Sequence, residues 1–118
     1  MSLQKLYAKY KANVDFYWVY VKEAHPTGSR RPAKHIEIAQ PATFDKRKEV
    51  ANQCSGEIKL AMPMVIDDMK NSVATAYNAL PDRLFVLGAD GKIAYRGERG
   101  PRGFKVDEME KALAKLVK

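Results

Sequence analysis

The run Val14-Asp15-Phe16-Tyr17-Trp18-Val19-Tyr20-Val21 constrains this chain more than any other stretch. It is rich in aromatic and β-branched residues and carries a single charge. A strand of that composition is covered on both faces, as in a parallel sheet with helices packed above and below. The flanking segments must therefore supply those layers. Leu3, Leu6, Tyr7 and Tyr10 recur at helical spacing, so a helix over Leu3–Lys11 precedes the strand, and Asn13 breaks it. His25-Pro26-Thr27-Gly28-Ser29-Arg30-Arg31-Pro32 reads as a loop from its Pro, Gly and Ser content.

Downstream, Thr43 can cap a second helix that runs through Val50 to about Cys54. Met62-Pro63-Met64-Val65-Ile66 is a short strand with Pro63 at its start, where a missing N–H is tolerated. Asp67 and Asp68 can cap a third helix over Met69–Leu80, with Val73, Ala76, Tyr77 and Leu80 on its inner side. Leu84–Leu87 and Ile93–Tyr95 flank Ala89-Asp90-Gly91, the pattern of a β-hairpin turning at Asp-Gly. Gly97 to Gly103 is a glycine-rich loop. A last amphipathic helix starts near Val106 and turns Met109, Ala112, Leu113, Leu116 and Val117 inward. Helix, strand, helix, strand, helix, hairpin, helix is the order of a layered α/β domain.

Composition removes several functions. At 118 residues the chain fits one domain. No apolar run approaches the ~20 residues that cross a bilayer, and no secretory leader opens the sequence. The single cysteine, Cys54, excludes a disulfide framework within the chain and agrees with a reducing, cytoplasmic setting. Cys54 itself reads as a structural thiol. His25 and His35 stand ten residues apart beside one cysteine, which is no metal-ligand spacing, and no cofactor motif occurs. The net charge of +7 is spread over many short basic groups, Lys46-Arg47-Lys48 among them. Without a nucleic-acid-binding motif, these read as solvated faces.

Three stretches carry a resemblance. Tyr20-Val21-Lys22-Glu23-Ala24-His25-Pro26 is similar to the Tyr-Ile-Glu-Glu-Ala-His of iodothyronine deiodinases. Tyr77-Asn78-Ala79-Leu80-Pro81-Asp82-Arg83-Leu84-Phe85 resembles their Tyr-Ala-Ala-Leu-Pro-Glu-Arg-Leu-Tyr. Tyr95-Arg96-Gly97-Glu98-Arg99-Gly100-Pro101-Arg102-Gly103-Phe104 resembles their Tyr-x-Gly-x-x-Gly-Pro-x-x-Tyr. Order and spacing agree over nearly the whole chain. The resemblance implies a thioredoxin-like fold of the peroxiredoxin-like branch: a mixed sheet with helices on both faces. In that family a strand ending in Gly-Ser-x-Thr-Sec/Cys-Pro-Pro precedes the first helix, whereas this chain starts inside that helix. The expectation is one thioredoxin-like domain over residues 1–118, N-terminally incomplete, with its central strand and its nucleophile absent.

The function implied is that of a deiodinase-like thiol or selenol oxidoreductase, inactive over these residues alone. Two alternatives stay open: a thiol peroxidase or disulfide reductase on the same scaffold, or a non-catalytic thioredoxin-like binding module. Glu23 and His25 leave the C-terminal end of a strand, where α/β folds place ligands, and the pair can shuttle a proton near neutrality. Tyr20, and Tyr77 with it, would extend that relay. Arg99 in the glycine loop would grip a phenolate or carboxylate through two hydrogen bonds. Arg83 would face the missing turn and favour a thiolate or selenolate. The family's second histidine falls near Pro41, so that role is not carried to His35. Expected partners are an anionic aromatic or peroxide substrate, a thiol reductant and a second copy of the chain; neither nucleic acid nor a membrane span is expected.

Overall fold

The computed structural model describes residues 2–22 and 42–117. Their elements run α1 (Leu3–Tyr10), β1 (Trp18–Tyr20), α2 (Phe44–Glu57), β2 (Met64–Ile66), α3 (Ser72–Tyr77), β3 (Phe85–Leu87), β4 (Ile93–Arg96) and α4 (Val106–Leu116). This is a mixed α/β chain in the order its sequence implies. The elements form two compact units, Tyr17–Asn78 and a unit that joins Met1–Phe16 to Ala79–Lys118.

In the unit spanning Tyr17–Asn78, β1 pairs parallel with β2, in the register Trp18↔Met64, Val19↔Val65 and Tyr20↔Ile66. The Pro63 carbonyl opens the ladder by accepting from the Trp18 amide at 2.9 Å, so the proline sits where its missing N–H costs nothing. β1 is shorter and less covered than the run 14–21 suggests. Its three residues are only half-buried, and among the described residues β2 is its only sheet neighbour. Thr43 caps α2, its hydroxyl accepting from the Lys46 amide at 3.2 Å, and the helix continues to Glu57, three residues beyond Cys54. Val50 and Ala51 bury the face of α2, which packs on β2.

The α3 helix is shorter than Met69–Leu80. It starts only after Asn71, which adopts left-handed φ, and it ends at Asn78, which does the same. Asparagine tolerates that conformation better than most residues, so both ends carry a local stop. The two aspartates do cap it, from upstream. Asp67 accepts from the amides of Val73 at 3.0 Å and Ala74 at 2.9 Å, and Asp68 accepts from the Ser72 amide at 2.9 Å. Ala74 is the buried residue of this helix and Ala76 is exposed, which corrects the inner face expected for it.

Asp68 also accepts from the Ser72 hydroxyl at 2.6 Å. That bond, with the Ser72 amide second, holds its carboxyl below the ordinary value of 3.8. A depressed carboxylate contributes stability above its unfolded-state pKa and loses it as pH falls through the folded value. Urea unfolding from about pH 6 to about pH 2.5 should therefore show Asp68→Asn less stable than the parent at neutrality. The difference should vanish in the acid range below 3.8; a gap that persists there would mean the carboxylate's charge is not what acts.

In the other unit, β3 and β4 form the expected antiparallel hairpin, with Phe85 opposite Arg96 and Val86 opposite Tyr95. The Gly88 amide reaches the Lys92 carbonyl at 2.9 Å, and the Asp90 carboxylate accepts from the Lys92 amide at 3.0 Å, closing the turn. A lone two-stranded ribbon is marginal in water. Here α4 packs on both strands and on α1. Leu6, Tyr10, Phe16, Leu84, Val86, Met109 and Leu113 form the core. Burying a side chain of this size contributes roughly 1.5–3 kcal/mol. Phe16 meets Tyr7 edge to face, with ring centres 5.4 Å apart. The apolar run is thus divided, Phe16 serving this core and Trp18–Tyr20 serving the parallel ladder. Leu116, expected to face inward, is exposed.

Candidate functional site

Two pairs of expected site residues lie among the described ones. Tyr20 ends β1, and its carbonyl accepts from the Asp67 amide at 2.9 Å. Tyr77 is the last residue of α3, and both tyrosines are half-buried. They share the unit Tyr17–Asn78. Arg83 and Arg99 share the other unit. Glu23 and His25 lie outside the described residues, as do His35 and the loop expected over His25–Pro32.

Arg83 lies just before β3 and Arg99 in the glycine loop just after β4. Beyond β4 the antiparallel pairing continues into the glycines. The Gly97 amide donates to the Leu84 carbonyl and the Gly100 amide to the Asp82 carbonyl, each at 2.9 Å. Arg83, between those two acceptors, turns its side chain back across the pair. Its Nε–H donates to the Gly97 carbonyl at 2.6 Å. Its guanidinium lies over the Phe85 ring, 5.5 Å from the ring centre, and one Nη stands 3.9 Å from the Glu98 carboxylate. The Arg83 side chain is 8% exposed, whereas that of Glu98 is 83% exposed.

The loop then folds on itself. The Gly103 amide donates to the Arg99 carbonyl at 3.1 Å, and a Cβ at Gly103 would collide with the backbone of Glu98. Only glycine allows that approach. Arg99 sits between the anchored Gly97 and Gly100 and is exposed. What the arrangement can do chemically is present the Arg99 guanidinium to solvent from a backbone fixed on both sides of it, with the exposed Arg96 and Arg102 close by in sequence. Nearby, the Tyr95 hydroxyl stands 3.4 Å from a Glu108 carboxylate oxygen. Burial, and then the Glu108 charge, raises the Tyr95 phenol above its usual 10.0. A cavity of about 360 Å³ opens beside the start of α4, lined by Phe104, Lys105, Val106, Asp107 and Glu108. Its two carboxylates make it a poor seat for an anion.

This geometry accounts for the spacing Tyr95-x-Gly97-x-x-Gly100 in this chain. A family model described as iodothyronine deiodinase matches residues 1–117. The chain belongs to the iodothyronine deiodinase family. Among curated members, type I iodothyronine deiodinase of Xenopus laevis is 32% identical over 114 residues, which is 97% of this chain and 44% of that protein. Thyroxine 5-deiodinase of Sus scrofa is 37% identical over 112 residues, 92% of this chain and 35% of that protein. The human thyroxine 5-deiodinase is 32% identical over 113 residues, with the same two shares. The chain thus spans less than half the length of these deiodinases. Among the described residues, no helix is long and apolar enough to cross a membrane, and no cluster of three His, Cys, Asp or Glu could hold a metal.

Sequence reasoning missed one group on this framework. Arg47, read with Lys46 and Lys48 as part of a solvated face, is only 2% exposed. Its guanidinium donates to the carbonyls of Asp67 at 3.3 Å and Asp68 at 2.6 Å, and to the Asn71 side-chain oxygen at 3.0 Å. The available signal was its place three and four residues before Val50 and Ala51, on the buried stripe of α2. Cys54 is half-buried on the same helix.

Proposed function

We propose that this chain is the part of a deiodinase-like thiol or selenol oxidoreductase that binds the substrate and manages its proton, on a thioredoxin-like scaffold. The observation that carries the reading is the family match, which runs over residues 1–117. In this reading a Cys or Sec nucleophile outside these 118 residues attacks an iodine of an iodothyronine. His25 delivers a proton to the carbon that loses it, and Glu23 orients the imidazole. Tyr20 and Tyr77 extend the relay. Arg99 grips the anionic end of the substrate. An external thiol then regenerates the nucleophile, and the working form is a homodimer. What supports this over a general peroxidase is the exposed Arg99 on its anchored loop, a group suited to an anionic substrate and one that peroxide does not need.

The test is iodide release from thyroxine, with dithiothreitol as reductant, by a longer protein that contains this chain and supplies the nucleophile. Turnover with thyroxine and little with hydrogen peroxide supports the reading, and the reverse preference replaces it with the peroxidase. The 118-residue chain alone should show no turnover. Cys54→Ser should leave the longer protein's rate unchanged within about twofold, since a half-buried helical thiol is a packing group. Abolition of turnover by that substitution would make Cys54 the nucleophile.

A further inference from the structure

We propose that Arg83 is a positioning residue: its guanidinium fixes the loop that presents Arg99, and it does not itself grip the ligand. The inference rests on the reading of Arg99 as the anion-binding group. Three observations carry it. First, the side chain is committed inward, with 8% exposure, its plane over Phe85 and its Nε–H on the Gly97 carbonyl at 2.6 Å. A guanidinium N–H donating to a carbonyl makes a charge-assisted bond. Second, the carbonyl it holds belongs to the residue where the hairpin ladder becomes the loop, two positions before Arg99. Third, the other anchors of that loop are main-chain bonds to Leu84 and Asp82, the residues on either side of Arg83. One tripeptide, Asp82-Arg83-Leu84, therefore holds Gly97 twice and Gly100 once. Arg83 provides the only one of these three contacts that comes from a side chain, so it is the one that a substitution can remove.

The geometry also separates positioning from a purely electrostatic role. A lysine at 83 would keep the positive charge but has no planar Nε–H to aim at the Gly97 carbonyl while lying flat on Phe85. An effect of charge on a neighbouring anion survives Arg83→Lys, and an effect of the clamp does not.

Two measurements on the longer protein that contains this chain test this. Amide hydrogen exchange over residues 97–103 reads the clamp without any ligand. In Arg83→Ala and Arg83→Lys alike, exchange at Gly97 and Gly100 should rise about tenfold or more, the effect of losing one charge-assisted bond, while exchange in α4 stays unchanged. Titration with thyroxine reads the consequence. Arg83→Ala should weaken binding about tenfold in the parent and by less than about twofold in an Arg99→Ala background, because a residue that acts through another has nothing left to position. Unchanged loop exchange in Arg83→Ala overturns the clamp. Equal losses in the two backgrounds, or full affinity in Arg83→Lys, overturn the positioning role in favour of direct or electrostatic contact. A parent protein that binds no thyroxine overturns the reading of Arg99 and the role built on it, while the exchange data still uphold or overturn the clamp itself.

Discussion

Replacing Arg47 by methionine is expected to lower the unfolding free energy by about 3 kcal/mol, the largest stability effect of any basic residue among those described. Its guanidinium satisfies two main-chain carbonyls and one side-chain amide oxygen in the β2–α3 connection, 20 to 24 residues away in sequence. Two of these bonds lie in part-buried surroundings and the third is fully buried, so water does not simply replace the lost donors. The Asp68 carbonyl keeps its bond from the Asn71 amide at 3.0 Å, so the loss falls on the Asp67 carbonyl and the Asn71 side-chain oxygen, and an acceptor left without a donor costs on the order of 1–3 kcal/mol. Methionine keeps most of the volume, so the loss reports on hydrogen bonds more than on a cavity. Lysine at 47 has one compact donor centre for three separated acceptors and should recover only part of the loss. The neighbouring Lys46 and Lys48 are exposed, and their alanine variants should fall within about 0.5 kcal/mol of the parent. Urea unfolding decides it: the midpoint should drop with the slope unchanged. An Arg47→Met midpoint equal to that of Lys48→Ala would show that the buried guanidinium contributes nothing net.

His25→Ala should reduce kcat for thyroxine deiodination about 10²-fold or more in the longer protein that supplies the nucleophile, with KM little changed. A general acid acts in the transition state, so its loss appears in the chemical step and not in ground-state binding. Arg99→Ala should show the opposite split, a raised KM with kcat largely kept, because an anion grip formed in the Michaelis complex persists through the reaction. Added imidazole should restore part of the His25→Ala rate and none of the Arg99→Ala defect. If both variants kept the parent's kinetics, the roles carried from the family to these two positions would be wrong, whatever the fold. If His25→Ala changed only KM, the histidine would be a binding group and the proton would come from elsewhere.

The elements that could be read from the chain are those whose determinants lie within a few residues of each other. Thr43 caps α2 because its hydroxyl meets an amide three residues on, and Asp90-Gly91 turns the hairpin through bonds that span two to four residues. Such contacts form wherever the local sequence allows them, so pattern alone finds them. The length of α3 is equally local in cause, but its stop signals, Asn71 and Asn78, are less obligatory than glycine and do not stand out against the helical spacing of Val73 and Tyr77. The family, too, is legible from three short motifs in the chain, and the family model matches residues 1–117.

The sequence by itself determined the order of helices and strands, the caps, the hairpin and the kinship with deiodinases. Only the tertiary structure decided which charged groups go inside. Arg47 and Lys48 are adjacent and both basic, yet one is buried and the other solvated. The difference is made by the carbonyls of Asp67 and Asp68, which the β2–α3 turn brings to the buried face of α2. Likewise Arg83 became a clamp because the Gly97 carbonyl lies opposite it across the extended hairpin. The cost of burying a charge depends on acceptors delivered from distant parts of the chain, and no local pattern records where those acceptors will be.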